Sequence, residues 1–223
     1  MKFLFKWLFR LFLLGVVLLV IFFLSLDTIL RVMMEHNIRA QTGMEAEIGK
    51  FHLGLLEPVV EIKNLTLHNP AAFGGTPFLN IPEIHVEYDK PALKQGQIHI
   101  TLLRFNLGEL DIVKNEAGKT NLFELGVTLP TTNRLGQSKA LEEFKKRTGL
   151  DFKQIDVLNV SVGTAKYIDL KEPKNNREQK ISIENLLMKN VKTPADITGL
   201  ALLIALRSGD FFGSLVAPAA VGK

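Results

Sequence analysis

"IPEIHVEYDKPALKQGQIHITLLRF", residues 81–105, decides how the rest of the chain is read. Apolar residues alternate through Ile84, Val86 and Tyr88, pause over a turn-like stretch, and alternate again through Ile98, Ile100 and Leu102. The intervening positions carry Glu83, His85 and Glu87, then Gln97, His99 and Thr101. Two-residue periodicity on both sides of a turn predicts a hairpin with one oily face and one wet face.

The same period runs outward in both directions. Towards the N-terminus it continues through Val60 and Ile62, then Leu65 and Leu67 after a one-residue slip at Asn64 that predicts a bulge. Asn69-Pro70 and Gly74-Gly75 mark the loop before the hairpin. Towards the C-terminus a strand through Leu110 and Ile112 leads to a turn at Asn115–Gly118. Residues 130–150 break the pattern with a linker and a short charged helix that Ser138 caps and Gly149 stops. Strands resume through Ile155, Val157, Val160 and Val162, through Ile168 and Leu170, and through Ile181 and Ile183. The tail is apolar and helical at first, with Ile197, Leu200, Leu203 and Ile204 on one stripe.

The N-terminus is of another kind. Leu11–Leu26 is an unbroken run of apolar and small residues, with Lys2, Lys6 and Arg10 before it and Asp27 after it. A bilayer core takes about 20 helical residues, so Lys6 and Arg10 must snorkel and Trp7 must sit in the interface. Trp7, Leu11, Val16, Val20 and Leu26 are the expected anchor residues. The run is long for a cleaved leader and no small-x-small site follows it, which favours an uncleaved anchor. The charge asymmetry puts the N-terminus in the cytoplasm and the bulk of the chain on the other side.

The expected fold is therefore mainly β. A transmembrane helix (1–26) and a juxtamembrane helix (27–43) precede a curved antiparallel sheet, a groove-like meander with a few short helices. That sheet has a first β unit at 44–129, the linker and short helix at 130–150, and a second β unit at 151–192. The apolar helix and tail occupy 193–223.

Composition narrows the chemistry. The net charge of +4 is spread without a basic stripe or aromatic platform, so no nucleic-acid partner is expected. There is no cysteine, which excludes disulfides and thiolate chemistry. No nucleophile elbow, P-loop, dinucleotide-binding glycine pattern or zinc-protease helix is present. His85 and His99 share the wet face of neighbouring strands, and two imidazoles with Glu83 or Glu87 fall short of a metal site on pattern alone. No catalytic residue, cofactor or metal is expected.

One resemblance adds to this reading. "I-G-x-F" at Ile48–Phe51, "V-E-I-K-N-L-T-L-H-N-P" and "F-G-G", the alternating "I-x-V-x-Y-D" strand, "I-H-I" and "N-E-A-G-K-T-N-L" follow one another behind a membrane helix. This order resembles the N-terminal region of the AsmA family of bacterial envelope proteins, related in architecture to bridge-like lipid-transfer proteins. The resemblance covers about residues 1–192 and rests on structural residues, so it carries over no active site. It implies a single-pass inner-membrane protein with a periplasmic β-groove that takes phospholipid acyl chains.

The expected oily face is Val60, Ile62, Ile84, Val86, Tyr88, Ile98, Ile100, Leu102, Leu110 and Ile112, continued by Val157, Val160, Ile181 and Ile183. Such a face has to be covered by lipid, by a helix or by another copy. Roughly eight strands at about 4.8 Å make a sheet some 40 Å wide, one lipid length, which points to partners or further copies if an envelope is to be crossed. The alternative is a membrane-anchored scaffold or assembly factor without cargo, its groove filled by the helix at 196–206. The two differ in where Ile197, Leu200, Leu203 and Ile204 lie.

Overall fold

A computed structural model describes residues 2–54, 56–124, 142–209 and 211. It begins with one unbroken helix, α1 (Lys2–Thr42), where the sequence suggested an anchor and a separate juxtamembrane helix. Nothing between residues 26 and 28 breaks a helix, so the two merge. Gly43 stops it with φ +70° and an N–H bonded to the Arg39 carbonyl at 2.9 Å. Val16, Leu13, Leu14, Leu18 and Ile21 are exposed on α1, and Leu26 is half-buried. Trp7, Leu11 and Val20 are helical in backbone, and their side chains lie outside the described residues. Among the described residues no helix is long and apolar enough to cross a membrane. The unbroken run from Leu11 to Leu26 covers about 24 Å of helix, short of a hydrocarbon core of about 30 Å.

Among the described residues six strands form one sheet in sequence order: β1 (Glu45–Leu53), β2 (Val59–His68), β3 (Pro77–Tyr88), β4 (Gln97–Lys114), β5 (Asp151–Asp169) and β6 (Arg177–Val191). The expected count of eight falls because two pairs of predicted strands are continuous, giving β4 of 18 and β5 of 19 residues. Each has a contour length of about 60 Å, so the sheet is narrower and longer than the sequence implied. The sheet is also mixed, a correction to the antiparallel meander. β4 and β5 run parallel, from Gln97↔Asp151 to Lys114↔Asp169. A parallel pair needs a long return, and the chain between them provides it. The last part of that return is a helix, α4 (142–148), which Gly149 ends at φ +72°. Ser138, the rest of the linker and the tail beyond 211 lie outside the described residues.

The slip at Asn64 is not a bulge. Pairing on both sides of it keeps register, Ile48↔Leu65 and Lys50↔Lys63 towards β1, Leu65↔Ile81 and Lys63↔Glu83 towards β3. Asn64 instead adopts φ +54°, which reverses the side-chain alternation without adding a residue. Ile62 and Leu65 are therefore both buried in one cluster with Ile48 and Ile81. Gly49 and Pro82 flank Asn64 in β1 and β3, and Gly108, Gly163 and left-handed Ser182 (φ +48°) continue the line through β4, β5 and β6. A crease thus crosses all six strands, and the apolar face continues on the same side beyond it.

Helices cover the two flanks of that face. Met34 of α1 packs on the cluster of β1–β3. On the far flank, Ile197, Leu200, Leu203 and Ile204 pack on the cluster that contains Ile112, Val160, Ile181 and Ile183, with the last three residues placed on α5 (Thr198–Ser208). The same helices occupy the sheet's free edges. Ile48 donates its N–H to Glu35 at 2.9 Å and Leu53 donates to Asp27 at 3.1 Å, while Arg31 donates to the Ile48 carbonyl at 3.5 Å. On β6, Arg207 donates to the carbonyls of Ile181 and Ser182. Exposed edge groups invite foreign strands, and here both edges carry helix side chains.

Candidate lipid-facing groove

Between the two helical flanks the apolar face opens into a cavity of about 340 Å³, near the lower limit of small-molecule sites. It is lined by Leu53, Val60, Val86, Tyr88, Leu93, Ile98, Ile100 and Leu150, together with the polar Asp89, Gln97 and His99. Strand pairing explains the gathering. Leu53 faces Val60, Val60 faces Val86, and Tyr88 faces Ile100, so four strands deliver one side chain after another to the same side.

Five of the expected groove residues, Val60, Val86, Tyr88, Ile98 and Ile100, line this cavity. Ile62 and Ile84 continue the face towards α1, whereas Leu110, Ile112, Val160, Ile181 and Ile183 belong to the core cluster on which α5 packs. Leu102 and Val157 are corrections. Leu102 pairs with Glu87 on one side and Val157 on the other, and Val157 pairs with Lys189, so both stand on the wet face. The cause is an extra residue in β4: Val86 pairs with Leu103 but Tyr88 with Ile100.

Leu93 and Leu150 were not foreseen. Leu93 sits on a short helix, α2 (Lys90–Lys94), inside what the sequence suggested was only a turn. The signal was present: Asp89 accepts the Ala92 N–H at 3.0 Å, and Pro91 follows in the first turn.

His85 and His99 are not neighbours. Arg104 stands opposite His85, and His99 pairs with Gln154 across to β5. His99, which lines the cavity, has Nδ1 3.3 Å from Asp89 and Nε2 2.9 Å from Asp156. The hydrogen bond with His99 holds the Asp156 carboxyl below its ordinary range, against some burial, with Gln154 adding to the effect. On the wet face Glu61, Glu83 and His85 bring one ligand atom each within 4.8 Å of one another. Their carboxylates already have cations: Lys63 at 2.8 Å and Lys50 at 3.3 Å on Glu61, and Arg104 at 3.2 Å on Glu83. Lys63's hydrogen bond is the main reason that Glu61 titrates low.

Asp111, further along that face in β4, is only 5% exposed and its Oδ1 has no hydrogen-bond partner. Burial first, then the neighbouring Glu109, raise its carboxyl to about 6, with Lys166 opposing. A carboxyl raised on folding costs stability above its folded pKa, and the cost disappears as pH falls towards the unfolded value. Asp111→Asn is expected to stabilise the fold at pH 7.5 by on the order of 2–3 kcal/mol and to leave it unchanged near pH 4. Urea unfolding at both pH values measures this, and equal stability at pH 7.5 would contradict it.

Comparison with protein-family models, with curated proteins and with solved structures finds no match.

Proposed function

We propose that this is an AsmA-like protein of the bacterial inner membrane, held by α1 with its bulk in the periplasm, which takes phospholipid acyl chains on the creased apolar face and contributes to lipid transport or outer-membrane homeostasis. The supporting observation is the apolar cavity left open between two helix-covered flanks, with walls from β1–β4 and the α2 helix. Leaving water for such a site gains about 0.8 kcal/mol per methylene. Leaving a bilayer gains almost nothing, because the chain exchanges one apolar surrounding for another. An open, shallow groove of this kind exchanges lipid rather than storing it. Lys2, Lys6 and Arg10 precede the apolar run in the sequence, where positive charge suits the cytoplasmic headgroup layer.

The scaffold reading also has an observation behind it: α5 already covers the β6 flank of the face, as a cargo-free groove would require. Lipid extraction and mass spectrometry on a detergent-free fragment, residues 27–223, separates the two. That fragment keeps Asp27, Arg31 and Glu35 on the β1 edge. About one phospholipid per chain is expected, falling at least tenfold when Val86 and Ile100 become Asp in a variant of unchanged circular dichroism. A folded fragment without lipid would leave the scaffold.

A further inference from the structure

The connections between strands divide into two groups at opposite ends of the sheet. One end holds the β1–β2 turn, α2 and the junction of α4 with β5. The other holds a short 3-10 turn (Ala71–Phe73), the turn after β4 and a second 3-10 turn (Pro173–Asn175). Among the described residues, large exposed apolar side chains in these connections occur at the first end: Leu56 at 94%, Leu93 at 39% and Phe144 at 40%. Among the described residues the second end shows none, and its Phe73 is buried. Water gives no reason for this asymmetry.

The apolar end is also the one fixed to α1 where its apolar run stops. Asp27, the residue after Leu26, accepts from the Leu53 N–H at 3.1 Å and meets His52 Nδ1 at 2.9 Å. Leu56 lies three residues beyond Leu53, within about 10 Å of that level even for extended chain. Lys90 donates to the Leu56 carbonyl at 2.6 Å, which ties α2 to the turn. The same connections carry exposed charges of both signs, Lys94, Lys146 and Arg147 with Glu57, Glu142 and Glu143, the mixed polar surround in which apolar tips meet a headgroup layer.

We infer that Leu56, Leu93 and Phe144 form a foot by which the folded body rests on the bilayer that holds α1, with the cavity mouth against the lipid. This rests on the reading of α1 as a membrane anchor. Leu93 belongs to both the foot and the cavity wall, so a lipid leaving the headgroup layer meets the groove without crossing water.

The chain has no cysteine, so each engineered thiol is unique. Full-length Leu56→Cys, Val17→Cys and Glu116→Cys, each carrying an environment-sensitive fluorophore, are reconstituted in phosphatidylethanolamine/phosphatidylglycerol vesicles with spin-labelled lipid as quencher. All three positions are exposed, so the labels leave the packing intact. Quenching at 17 and 56 at least threefold above that at 116, the far-end turn, is the expected result. Quenching at 17 with 56 no different from 116 would overturn the foot and spare the anchor. No quenching at 17 would overturn both. The cargo reading is decided separately by lipid extraction from the soluble fragment, which has no bilayer to rest on.

Discussion

Replacing Gly163 by valine is expected to lower stability by about 3 kcal/mol, the upper end of what forced overpacking of an interior usually costs. At the crease, β4 and β5 run so close that a side chain on Gly163 would stand well inside contact distance of the Gly108 carbonyl oxygen. The obstacle is backbone, so no rotamer change relieves it. Gly108 is itself hemmed in, with positions 3.0 Å from Asn80 Oδ1 and 3.1 Å from Pro82 Cδ where its own Cβ would be. For a chain of this size the melting temperature should fall by about 6–12 °C. Gly199→Ala is the control. It lies in α5 with nothing within 4 Å, and should gain about 0.5 kcal/mol from helix propensity. A shift below about 3 °C for Gly163→Val would mean that the strands can part at the crease.

The second large effect concerns Asn121, wholly buried at the start of the α3 helix (Asn121–Glu124). Its Oδ1 accepts the Val113 N–H at 3.1 Å, and its Nδ2 donates to the Asp111 carbonyl at 2.9 Å and to Asn69 Oδ1 at 2.8 Å. Asn69, also buried, holds the loop before β3 through the Pro77 carbonyl at 3.2 Å. Asn121→Ala strands three polar groups away from water, each costing about 1–3 kcal/mol, so a loss of about 4 kcal/mol is expected. Thermal unfolding of Asn121→Ala, Asn69→Ala and the double variant forms a cycle. The double variant should lose less than the sum of the two singles, because they share one bond. Strict additivity would show that the clasp is not a unit.

That clasp explains why the sequence could be read as far as it was. The segments "H-N-P" and "N-E-A-G-K-T-N-L" were legible as motifs before their purpose was, and Asn69 and Asn121 turn out to be partners across 52 positions. The alternation in β2, β3 and the first half of β4 was legible for a simpler reason, since one face is wet and the other oily. Period alone failed where the backbone departs from plain strand geometry. Asn64 changes the alternation by its φ and not by an inserted residue, and the extra residue in β4 moves Leu102 to the other face; both need the partner strand to be seen. The parallel β4–β5 pairing was hidden as well, because the direction of a strand leaves no mark on its own hydrophobic pattern. Of the cavity, the strand residues were visible, whereas Leu93 and Leu150 come from connections whose path depends on the whole sheet.

The guarding of the two sheet edges has a consequence for the order in which the chain is made. Synthesis runs from the N-terminus at about 5–20 residues per second, and early segments fold first. Asp27, Arg31 and Glu35 precede β1, so that border is closed as soon as its strand forms. Its opposite never enjoys this protection during growth. Each new strand becomes the open margin until the next arrives, and the final margin, β6, waits for Arg207, about sixteen residues after the strand ends. A nascent chain stalled before that point would carry a finished groove beside an unsealed border, and would meet neighbouring nascent chains in that state.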